Sequence, residues 1–238
     1  MTYRALDEAA IIATGERLAA RIRERFPESG LSKVAGELVD VARESSRHIA
    51  DARRPHWPIR IATGLVIASM LSVVVGIAMT APTPTSRIEL FPLLQIVESA
   101  INDVIFLGVA VFFLVSVETR LKRNKALHAL HQLRSLAHVI DMHQLTKDPE
   151  QLLSPERGTR SSPTRTLGRF ELGRYLDYCT EMLALISKVA ALYVQDIDDP
   201  QVLSAVNDIQ GLTTGLSANI WQKIALVDTL GEREHAQG

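Results

Sequence analysis

The chain has a single cysteine, Cys179, among 238 residues. No intrachain disulfide can form, and a reducing compartment is the setting that fits. Charge is missing from a long central region: Ile61 to Ser86 carries none, and from there to Glu118 the only cation is Arg87. Signature motifs of chemistry are missing too. No G-x-x-x-x-G-K-[ST], H-E-x-x-H or G-x-S-x-G occurs, so no phosphate-binding loop, zincin helix or nucleophile elbow is expected. Enzymatic activity has no positive support and no cofactor is expected. The net charge of −1 carries no global signal for a nucleic-acid partner.

What fills the uncharged region is apolar. Ile61 to Met79 and Leu93 to Val117 are two long hydrophobic stretches, and a helix needs about 20 such residues to cross the hydrocarbon of a bilayer. Cations flank them on the outside: Arg53, Arg54, His56 and Arg60 before the first, and Arg120, Lys122, Arg123 and Lys125 after the second. Because positive charge stays on the cytoplasmic side, this pattern predicts a transmembrane hairpin, residues 58–80 and 93–117, with both termini cytoplasmic. The loop 81–92 holds Pro82 and Pro84 and is too short for an external ligand domain. Sixty residues rich in Arg and Glu precede the first stretch, so a retained anchor is expected rather than a cleaved signal. The preponderance of Arg over Lys points to a bacterial inner membrane.

Gly64, Ala68, Ser72 and Gly76 recur at intervals of four and share one face of the first span, where small side chains let another helix approach. The expected neighbour is the second span, or a second copy of the chain. Glu98, Asn102 and Asp103 are the polar residues of the second span. Counting back about 20 residues from the cytoplasmic edge near Glu118 puts them at or just inside the outer interface. A transport subunit gathering them around a pore is one alternative function; hydration at shallow depth is the simpler reading.

The flanking segments read as amphipathic helices, so the fold class is all-α: a membrane hairpin with a cytoplasmic helical bundle. Residues 1–57 hold a helical pair, with Leu6, Ala10, Leu18 and Ile22 on one stripe and Leu31, Val34, Leu38 and Val41 on another, broken at Pro27 to Gly30. The second span continues as a cytoplasmic helix over 118–146, and a proline- and arginine-containing linker covers 147–169, with Arg157, Arg160 and Arg165 able to meet anionic lipid. Residues 170–230 form a helical hairpin followed by a frayed tail, 231–238. Its first helix carries the seam Leu172, Leu176, Cys179, Leu183, Ile186, Ala190 and Tyr193, widened by Tyr175, Met182 and Val189. Its second helix starts at Asp199-Pro200, a cap and first-turn proline.

Two clusters invite chemistry. His128, His131, His138 and Asp141, with His143, lie on one helix, and His128/His131 and His138/Asp141 have the spacing of paired metal ligands. His131 and His138 are about 10 Å apart along the axis, so one helix cannot gather four ligands, and a solvated or partner-facing histidine face is expected. A metal sensor or enzyme using His131, His138 and Asp141 is the other alternative. Gly211 and Gly215 each cost about 1 kcal/mol in a helix interior, which close helix contact would offset; with Asn207 they could instead border a small cavity. Cys179 reads as core. The expected function is a membrane-anchored scaffold or signal-coupling subunit, with the bilayer, its own copies or a cytoplasmic protein as partners.

Overall fold

The computed structural model describes residues 5–53, 57–80, 90–147 and 167–236. Those residues form six helices and no strand: α1 (Glu8–Arg25), α2 (Gly30–Arg53), α3 (Trp57–Thr80), α4 (Leu90–Leu145), α5 (Arg169–Asp196) and α6 (Pro200–Ala236). The all-α class is therefore as expected. The outer loop with its prolines and Arg87, and the linker arginines Arg157, Arg160 and Arg165, lie outside the described residues. α6 continues to Ala236, past the tail boundary expected at residue 231.

Local chemistry sets the helix ends. The Asp7 carboxylate accepts from the amides of Ala9 and Ala10 at 2.9 and 3.2 Å and starts α1. Glu28 adopts a φ of 60° in the turn after α1, and the Ser29 hydroxyl accepts from the Ser32 amide at 3.1 Å to start α2. Asp199 accepts from the amides of Gln201 and Val202 at 2.9 and 3.3 Å, with Pro200 opening α6 as its sequence predicts.

The chain divides into two compact units, residues 1–53 with 123–238, and residues 54–122. The first is a five-helix bundle around one hydrophobic core. Ile22, Leu31, Leu38, Leu133, Ile140, Leu176, Leu183, Ile186 and Val202 are all fully buried in it. α5 is central: all ten seam and flanking residues named from its periodicity are buried. Polar contacts fix the helix directions. α1 runs against α5, because the Leu6 amide donates to Gln195 at 2.8 Å, Arg21 meets Glu181 at 3.0 Å and Phe26 packs edge-on to Tyr175. α1 also runs against α2, through Arg43 to Glu16 and Arg53 to Glu8 at 2.7 and 2.6 Å. The bundle's part of α4 runs alongside α6 in the same direction: Arg123 lies near Asp199 at one end, and Lys223 donates to Gln144 at 2.7 Å near the other.

Two glycines permit close approach in this core. A Cβ at Gly15 would come within 2.9 Å of Leu185 Cδ2, and one at Gly30 would overlap the imidazole of His143. The end of α4 thus abuts the start of α2.

The second unit holds α3 and the first part of α4, and its apolar side chains are uncovered. Leu65, Leu71, Phe106, Phe112 and Phe113 are each between 65% and 73% exposed. Among the described residues one helix is long and apolar enough to cross a membrane, Ile101–Leu145, whose most apolar window has a mean hydropathy of 2.1 and is not buried at all. The apolar stretch in α3, Arg60–Gly76, is shorter than that measure. The expected two-span hairpin, and the multi-pass location with it, is corrected here to one candidate span: at about 1.5 Å per residue the α3 stretch falls short of a full hydrocarbon thickness. Among the described residues the small-residue stripe is uncovered. Gly64, Ala68, Ser72 and Gly76 are exposed, and a Cβ at Gly64 or Gly76 would meet nothing within 4 Å.

Candidate interaction surfaces

At one end of the bundle two arginines converge on the connection between α5 and α6. Arg53, the last residue of α2, donates from Nε and Nη2 to the two carboxylate oxygens of Asp196, both at 2.8 Å, and from Nη2 to Glu8 at 2.6 Å. This fork-to-fork geometry is the strong form of an ion pair. The hydrogen bond to Asp196, and then the charge of Glu8, push the Arg53 pKa further up. Arg123, on α4, points Nη1 at Asp199 Oδ2 from 3.8 Å, and its Nε is buried without a hydrogen-bond partner. Arg53 and Arg123 thus sit at the same end of the bundle.

Along the outer side of the α5–α6 pair runs an open groove of about 430 Å³, lined by Ala184, Ser187 and Lys188 of α5 and by Thr213, Thr214, Ser217, Ala218 and Trp221 of α6. Small side chains make it shallow. Trp221 stands at its edge, 59% exposed. The Thr213 hydroxyl is turned inward onto the carbonyl of Ile209 at 2.9 Å, leaving the apolar parts of the lining outward. Large amphipathic rings in such positions are the residues that dominate binding energy when a partner covers them.

A second hollow, about 400 Å³, is lined by Arg21, Glu24 and Arg25 of α1 and Arg174 and Tyr178 of α5. Arg21 and Arg174 place guanidinium groups 5.3 and 5.1 Å from the Tyr178 ring centre, within cation–π range. Each also holds a carboxylate, Glu181 and Asp177 respectively, at 3.0 Å. With Glu24 present the charges balance, so the hollow is a laced surface rather than an anion trap.

The histidine cluster does not assemble. Leu130, Leu133, Ala137 and Ile140 turn into the core, while His128, His131 and His138 are exposed. Asp141 accepts a hydrogen bond from Gln144 Nε2 at 2.7 Å. Among the described residues no group of three or more His, Cys, Asp or Glu side chains is placed to hold a metal ion. Glu98 and Asn102 are exposed and Asp103 half-buried; Glu98 precedes the candidate span, and Asn102 and Asp103 are its second and third residues.

Gly211 and Gly215 differ from expectation. Among the described residues a Cβ at either would meet nothing within 4 Å; both face outward on α6, and neither lines the groove. Cys179 is in the core, and burial pushes its thiol up to about 12, with the charge of Lys223 acting weakly the other way. Sequence reasoning missed Lys223 because its approach depends on the α5–α6 packing. Trp221 was missed as well, though a signal existed: it sits one residue beyond Ile220 and off the buried stripe, where a tryptophan has no core to fill. No family model, curated protein or solved structure matches the chain.

Proposed function

We propose that this protein is a membrane-anchored helical scaffold that couples a membrane segment to a cytoplasmic partner through the outer face of α5 and α6. The observation that carries this reading is the allocation of its surfaces. One uncovered apolar segment at residues 101–117 suits lipid, and one groove ending in an exposed tryptophan suits protein. No constellation with the geometry of a reaction centre enters it.

A topological condition supports the finer form of the reading. Helices α1 and α2 share one core with the end of α4, α5 and α6, and a chain that crossed a bilayer once between α2 and the end of α4 would leave the two halves on opposite sides. The reading therefore takes the crossings to be even in number, although α4 is the one described helix long enough to qualify as a candidate span. With α4 crossing, α3 is the described helix available to bring the chain across as a shorter companion leg, leaving the bundle and both termini on one side. Excess Arg and Lys next to the bundle, at Arg120, Lys122, Arg123 and Lys125, favours the cytoplasmic side, and the inner membrane of a bacterium is the proposed setting.

The scaffold role is tested by site-specific photo-crosslinking in native membranes. A photoreactive residue at Trp221 or Thr214 is expected to give one adduct of defined mass, and the same residue at the exposed Glu37 on α2 is expected to give none. Equal labelling from all three positions, or none from any, contradicts the role. A defined adduct of twice the chain mass identifies the partner as a second copy.

A further inference from the structure

Asp199 has two duties, and its two carboxylate oxygens divide them. Oδ1 accepts the amides of Gln201 and Val202 and so caps α6. Oδ2 faces Arg123 of α4 at 3.8 Å, beyond hydrogen-bond distance. The aspartate is 8% exposed, and the Arg123 Nε beside it is buried and unpartnered. A buried donor left without an acceptor is unfavourable, so this contact sits short of its best geometry. Three residues earlier, Asp196 grips Arg53 with two bonds of 2.8 Å. One arginine anchors the α5–α6 turn tightly, and the other holds it loosely.

We infer that the Arg123–Asp199 pair is a two-position contact that couples displacement of α4 to the first turn of α6, with Arg53–Asp196 as the fixed pivot. A small advance of α4 closes the pair into a charge-assisted hydrogen bond. A retreat leaves the half-buried Arg123 side chain without its carboxylate and releases Asp199 to its capping duty alone. The same helix α4 carries the candidate membrane span, and α6 carries Trp221. This goes beyond the scaffold reading and adds a regulatory joint to it; the contact itself does not depend on lipid around residues 101–117.

Asparagine separates the two duties, because it caps helices as well as aspartate does but offers no charge to Arg123. The experiment uses the full chain in mild detergent, with Cys179→Ala and spin labels at the exposed positions 124 and 203. The unmodified pair is expected to give one narrow distance distribution, and Asp199→Asn a longer, broader one. In Asp199→Asn the α6 amides at 201–203 keep their hydrogen-exchange protection; in Asp199→Ala they exchange about fivefold faster, as for a lost cap. Arg123→Gln must reproduce the Asp199→Asn distances, and serves where that variant folds poorly. Unchanged distances in both variants overturn the coupling. If the distances respond while terminal tags report opposite membrane sides, the joint stands and the membrane topology falls.

Discussion

Cys179 lies at the middle of α5 with no exposed surface, and its thiol, pushed up to about 12 by burial, stays neutral through the physiological range. Maleimide at pH 7.5 is expected to leave it unmodified in the folded chain and to label it after denaturation; rapid labelling of the folded protein contradicts the core assignment. Stability should carry a matching alkaline limit. Above its ordinary value of 9.0 the thiol ionises in the unfolded chain but not in the folded one, so the stability present below pH 9 drains away as pH rises toward about 12. Tyr193, raised from 10.0 to about 12 by burial, adds to the loss above pH 10. Thermal melts in detergent should therefore fall steeply from pH 9 upward, and Cys179→Ala should remove the earliest part of that fall. At Gly30 the prediction is steric: Gly30→Ala pushes a methyl into the His143 ring and should cost about 1–3 kcal/mol. His143→Ala in the same chain should recover most of the loss, and additive losses would show the two sites to be independent.

At the scale of helices, α5 was the most legible element and α3 the least. Ten buried positions at alternating spacings of three and four leave no competing period in α5, so its seam could be read from sequence to the residue. Leu183→Ala, at 0% exposure, should lower stability by about 2–5 kcal/mol; a change below 1 kcal/mol in denaturant or thermal melts would mean the seam is not core. In α3 the small-residue stripe was equally regular but carried no information about what it meets, because periodicity defines a face and not its neighbour. The same applies to Gly211 and Gly215, whose expected contact is not made among the described residues. Ion pairs are harder still: Arg53 and Asp196 stand 143 positions apart, and only the packing of α2 on α5 brings them together. Gly64→Leu with Ala68→Leu tests the α3 stripe directly. A smaller oligomer in mild detergent would assign the stripe to contacts between copies, and an unchanged mass would remove it from that role.

For the molecule as a whole, the sequence conveyed composition faithfully and connectivity only in part. Hydropathy located the apolar region between residues 61 and 117, because lipid-compatible runs are defined by side chains alone. It overstated the first run, whose described apolar part, Arg60–Gly76, is too short by the same criterion that Ile101–Leu145 satisfies. The flanking segments were expected to form one bundle; what sequence could not convey is which side chains of α1, α2, the end of α4, α5 and α6 close its core. That closure agrees with the expectation of both termini on one side, and the scaffold reading rests on this proposal: one bundle, held on one side of a bilayer. Epitope tags at residues 1 and 238, probed with protease in sealed right-side-out and inverted vesicles, measure this most directly. Both tags are predicted to be cut in inverted vesicles and protected in right-side-out ones; cleavage of one tag in each preparation would contradict the account.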